Sequence, residues 1–97
     1  MRISKRVREE AVEALLVCAD SQVQADLMLK EGARWKLMVV TADLVGGETG
    51  VLATEAFRAA QRAAYRFGGC ECFLEAAALL RDGWNPGEPV VLLKGGR

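Results

Sequence analysis

The sequence predicts an all-α domain, a small bundle of four to five helices with a possible short extended strand at the C-terminus. Three observations lead there. Apolar residues recur at helical spacing through most of the 97 residues. Glycines, or a Gly-Trp-Asn-Pro-Gly cluster, punctuate these runs where helices would stop. The apolar share, 52%, is ample for one core, and the length is too short for two. The chain therefore reads as one domain, 1–97, organised around a helix pair at 54–83.

Ser4 is a suitable N-cap for a first helix ending near Asp20. Its buried face is Val7, Ala11, Ala14, Leu15, Cys18 and Ala19, widened by Val12 and Leu16. Glu9, Glu10, Glu13 and Asp20 line the opposite face, with Lys5–Glu9 and Arg6–Glu10 at the four-residue spacing of helical ion pairs. Arg8 falls on the apolar side, where its stem can follow the core edge while its head reaches water. Ser21 is read as the cap of a second helix, Gln22 to Glu31, closed by Gly32. From Ala33 to Val45 two patterns compete. Trp35, Met38, Val39, Ala42 and Val45 form a helical face, whereas Trp35, Leu37 and Val39 alternate like a strand. The longer register favours helix. The run Gly46-Gly47-Glu48-Thr49-Gly50 reads as a loop.

Thr54 is read as the N-cap of the third major helix, ended by Gly68-Gly69. Ala56, Phe57, Ala60, Ala63, Ala64 and Phe67 make a flat apolar side that a partner helix can approach closely. The helix from Cys70 to Asp82 is apolar apart from a narrow stripe of Glu71, Glu75 and Asp82, so it belongs in a core or an interface. Gly83 takes the C′ position, Trp84 folds back over the last turn, and Asn85-Pro86-Gly87-Glu88 fits a type II turn. Val90 to Leu93 is the extended candidate.

Composition narrows the chemistry. Histidine is absent, which removes imidazole catalysis and most zinc sites. Cys70 and Cys72, two apart on one helix, cannot bridge, so with Cys18 they read as reduced thiols rather than metal ligands. Neither a catalytic set nor a metal site is assembled, and no cofactor is expected. The glycine run at 46–50 lacks the Lys-Ser/Thr ending of a phosphate loop. Thirteen basic residues balance thirteen acidic ones, so general nucleic-acid binding is not expected. Gln24, Leu27, Gly32 and Met38 approach helix-turn-helix spacing, but the would-be recognition helix is mostly apolar, and specific DNA binding is not expected either. No signal peptide or membrane span is read.

What remains is surface. Arg58, Arg62 and Arg66 stand one turn apart, with Gln61 and Tyr65 beside them. This candidate basic face could grip an acidic partner surface, or simply be solvated or paired with the acidic face of the first helix. Trp35, Tyr65 and Trp84 are candidate anchors.

Two segments, Ser4-Lys5-Arg6-Val7-Arg8-Glu9-Glu10-Ala11 and Glu75-Ala76-Ala77-Ala78-Leu79-Leu80-Arg81-Asp82-Gly83-Trp84-Asn85-Pro86-Gly87, resemble small uncharacterised proteins carried by bacteriophages and prophages. The resemblance covers structural segments only. It implies an accessory protein of a mobile element in a host cytoplasm. The expected function is non-enzymatic protein binding, such as inhibition of a host defence complex in the manner of an anti-CRISPR protein. A helical nucleic-acid-associated regulator and a virion or assembly subunit are the alternatives. The expected partner is a large host or phage complex, with homodimerisation a further option.

Overall fold

A computed structural model describes residues 3–25, 33–63 and 71–90, with the backbone alone for 21–25, 33–34 and 71. These residues form α1 (Lys5–Ala25), α2 (Ala33–Val45), α3 (Gly47–Ala63) and α4 (Glu71–Arg81), and no strand occurs among them. The α1 helix packs against the other three, α4 packs against α1 and α3, and α2 lies at the edge against α1 and α3.

The start of α1 follows the sequence. The Ser4 hydroxyl accepts the Val7 N–H at 3.1 Å, as an N-cap should. Ala11, Val12, Ala14, Leu15, Cys18 and Ala19 are buried, with Val7 and Leu16 at the margin. Of the two expected ladder pairs, Arg6–Glu10 closes at 3.2 Å and Lys5–Glu9 does not form. The end differs from expectation. Ser21 does not cap a new helix, because α1 runs through it to Ala25. No Gly or Pro interrupts 18–25, so nothing stops the helix there. The remainder of the expected 22–31 helix, and the segment central to the helix-turn-helix spacing, lie outside the described residues.

Residues 33–45 are helical. The expected apolar face is only lightly covered: Met38 is fully buried, Leu37 and Ala42 are half-buried, and Trp35, Val39 and Val45 are exposed. The glycine run is a correction. The connection is Gly46 alone, and α3 starts at Gly47. Both glycines have positive φ, 67° and 56°, so the chain reverses in a left-handed turn that other residues resist. Thr54 is consequently not an N-cap. It lies inside α3, and its hydroxyl donates back to the Gly50 carbonyl at 2.9 Å. Gly50 is buried where α3 crosses α2, and a Cβ there would overlap the carbonyl oxygen of Ala42.

Leu52, Ala53, Ala56, Phe57, Ala59 and Ala60 form the inner face of α3. Ala63, expected on that face, is exposed at the helix end, and 64–69 lie outside the described residues. The polar stripe expected on α4 is also corrected, because Glu75 is buried at 8% exposure. Packing against α1 and α3 leaves a different row outward, with Leu74 and Arg81 exposed and Ala78 half-buried.

The end of α4 matches expectation in detail. The Trp84 N–H donates to the Leu79 carbonyl at 3.0 Å and the Gly83 N–H to that of Leu80 at 3.2 Å, with Gly83 at φ 92°. This is a Schellman motif, and Trp84 is buried against the core. Gly87 at φ 93° and the Glu88 N–H to Asn85 carbonyl bond at 3.0 Å complete the type II turn. Trp84 Nε1 donates to the Glu88 carbonyl at 3.1 Å. Beyond Val90, the C-terminal strand candidate falls outside the described residues.

Arg8 departs most from expectation. Its half-buried head is held by three protein acceptors rather than left to water alone. Nη1 donates to the carbonyls of Leu80 at 3.0 Å and Trp84 at 2.7 Å, and Nη2 donates to Asn85 Oδ1 at 2.7 Å. The start of α1 is thereby fastened to the end of α4.

Two outcomes test this fold. Arg8→Met should lower unfolding free energy by about 2–4 kcal/mol in denaturant titration, since charge-assisted bonds are lost and carbonyls are left underpaired. Arg8→Lys should recover less than half of that loss, because an ammonium cannot reproduce the planar fork. Gly50→Ala, which in an open helix would be favourable by up to about 1 kcal/mol, should here destabilise by about 2 kcal/mol or more. A neutral result in thermal unfolding would disprove the tight α2–α3 crossing.

Candidate partner-binding surface

The outer row of α3 follows from the same register that buries Ala56, Phe57 and Ala60. Arg58, Gln61 and Arg62 are exposed on it, and Val51 at 65% exposure begins it one turn below the half-buried Glu55. The structure thus brings three of the five sequence-predicted residues to one accessible surface. The other two, Tyr65 and Arg66, lie outside the described residues. Among the described residues neither Arg58 nor Arg62 forms an ion pair. In particular, the acidic face of α1 does not neutralise them. Glu10 of that face instead accepts from Arg6 Nε at 3.2 Å and from the Thr49 hydroxyl, in the first turn of α3, at 3.0 Å.

The sequence missed what Arg58 does touch. Its guanidinium carbon sits 5.6 Å from the Trp35 ring centroid, a cation–π contact between α3 and α2. Trp35, 40% exposed, stacks 6.2 Å from buried Phe57, which stacks 4.8 Å from buried Phe73. A file of three rings therefore runs from the surface through α3 to α4. It backs the outermost ring with the core while Trp35 and Arg58 stay exposed. Phe57 was legible as core and Trp35 as a possible anchor. Their alignment required the α2–α3 crossing, which no local pattern encodes. Trp84, the other described anchor candidate, is unavailable because it is buried.

Burial pushes the Cys18 thiol up, with a hydrogen bond from the Thr41 side chain opposing it, so a thiolate is disfavoured. Among the described residues no three His, Cys, Asp or Glu side chains gather as metal ligands. Among the described residues, two clefts open between helices. The one between α1, α2 and α3 is lined by Glu10, Glu13, Ala14, Val17, Val45 and Thr49. The one between α1 and α4 includes Lys5, Arg8, Glu9 and Arg81. Among the described residues no helix is long and apolar enough to cross a membrane.

Comparison with protein-family models, curated proteins and solved structures yields no match for this chain.

The Thr49 hydroxyl, followed by the Arg6 side chain, holds Glu10 below its ordinary pKa. The Asn85 backbone N–H, then the Asn85 side chain, does the same for Glu88, with the Arg8 charge adding to it. A depressed folded-state value means stabilisation that is full above the ordinary glutamate pKa of about 4.3 and disappears as pH falls through the lower folded value. Thermal stability should therefore decline on acidification below about pH 4–5. Glu10→Gln should flatten that decline while lowering stability at neutral pH; an unchanged acid limb in both Glu10→Gln and Glu88→Gln would refute the assignment.

Proposed function

We propose that this chain is a non-enzymatic, protein-binding accessory protein of a phage or mobile element, acting by occupying a surface on a larger complex in the host cytoplasm. Stoichiometric inhibition of a host defence complex, of the anti-CRISPR type, is the specific form of this reading. One observation carries the binding element. Arg58 and Arg62 stand on one exposed helix row without acidic partners among the described residues, and Arg58 is set against a half-exposed tryptophan that is itself braced by the core. Unpaired guanidiniums beside a rigid aromatic suit a carboxylate-bearing protein surface, because each guanidinium offers a planar fork and the ring adds area at little entropic cost. The mobile-element context rests on the resemblance of the first and last helical segments to phage-borne proteins.

A nucleic-acid-associated regulator is the second reading, and the outer side of α2 speaks against base recognition. It exposes Lys36 and Asp43 with Val40 and Leu44, a poor set for reading base edges.

Affinity capture from host lysate with the tagged chain tests the proposal. Arg58→Glu with Arg62→Glu should reduce recovery of the captured complex at least about tenfold, a loss of about 1.4 kcal/mol, while leaving the circular dichroism spectrum and melting temperature near wild type. Trp35→Ala should weaken capture in the same direction. Undiminished capture by the double variant would remove this face from the function, and duplex DNA binding with a steep salt dependence would favour the regulator instead.

A further inference from the structure

The α2 helix is built as if half of it faced another α2. Opposite fully buried Met38, the helical wheel places Lys36, Val40, Asp43 and Leu44 on the outward side, and all four are exposed. Leu44 is 81% exposed and Val40 55%, with Val39 and Val51 also exposed nearby. A helix this apolar on its outside face ordinarily has a cover.

Charge identifies the cover. The α2 helix has no acidic residue in its first turn and no basic residue in its last. It carries the reverse, Lys36 near its N-terminus and Asp43 near its C-terminus. Each charge opposes the helix dipole, and neither has an ion-pair partner among the described residues. A second α2 running antiparallel corrects both defects. Lys36 and Asp43 lie equally far on either side of the Val39–Val40 peptide, and both project on the same flank of the outward face. A twofold axis passing beside that peptide preserves flank and reverses direction. It therefore sets Lys36 of one copy against Asp43 of the other, twice over, while Val40 meets its counterpart on the opposite flank. Self-complementarity of this kind is what an isologous interface requires.

We propose that the outer face of α2 is a homodimer interface in which two copies pair antiparallel about Val39–Val40, closed by reciprocal Lys36–Asp43 ion pairs. Only a handful of aliphatic side chains are buried per copy, so the dimer is weak and reversible rather than obligate. The Arg58 and Arg62 row is not part of this pairing, which uses Lys36, Val40 and Asp43. The proposal does not rest on partner capture through that row.

Sedimentation equilibrium of the full purified chain, from about 10 μM to about 500 μM, tests it. The expected result is a concentration-dependent monomer–dimer equilibrium. Val40→Glu should abolish the dimer without changing the helical circular dichroism signal, because the side chain is already exposed in the monomer. Lys36→Glu alone and Asp43→Lys alone should each weaken dimerisation about tenfold or more, since each creates two like-charge contacts. The double variant, Lys36→Glu with Asp43→Lys, should return to within about threefold of wild type. A chain that stays monomeric throughout, single variants that dimerise normally, or a double variant no better than the singles would each overturn the proposal. In the first case the face is left for a different protein.

Discussion

The arginine at position 8 holds the architecture closed. Helix α4 ends in a Schellman motif that satisfies some of its terminal carbonyls from within, but the Leu80 and Trp84 carbonyls also face the start of α1. A guanidinium is suited to this place. It is always charged, it sits at the negative end of the α4 dipole, and its fork reaches two backbone oxygens and the Asn85 side chain together. These bonds join residues more than seventy positions apart, so they secure a long loop closure. The Asn85-to-Glu88 turn is fixed by the same group of contacts, since Asn85 is bound both by Arg8 and by Glu88.

Around this clasp the core is made mainly of small residues. Ala53, Ala56, Ala60, Ala76 and Ala77 are fully buried, and they allow α1, α3 and α4 to approach closely around Phe57 and Phe73. Close approach is taken furthest at Gly50, where α2 rests on α3 with no room for a methyl group. Because α2, among the described residues, packs against α1 and α3 at the edge of the bundle, it contributes Met38 to the core and leaves much of its apolar surface outside. Among the described residues, exposed apolar and cationic side chains are prominent on α2 and the outer row of α3.

Those surfaces divide by chemistry. The Arg58–Trp35 unit is cationic and aromatic and is backed by the ring stack; the partner proposed for it is a carboxylate-bearing surface. The outer face of α2 is aliphatic with one charge of each sign, and suits a copy of itself. Both sit on helices rather than loops, so neither needs to be ordered at the moment of binding.

By itself, the sequence determined much of the local structure, though not the caps read at Ser21 and Thr54. Ser4 as a cap, the apolar face of α1, the helical state of 33–45, the exposure of Arg58, Gln61 and Arg62, and the Gly83-to-Glu88 ending were all legible, because caps, periodicity and turn residues act over three or four neighbours. What only the tertiary structure decided was long-range. Gly46 and Gly47 read as part of a loop, whereas α3 begins at Gly47 and seats Gly50 on Ala42 of α2. Glu75 reads as solvent-facing until α1 and α3 cover its side of α4. Arg8 reads as a snorkelling side chain until the end of α4 arrives beside it. In each case the deciding partner lies on another helix, and a pattern confined to one helix carries no information about which neighbour will be there.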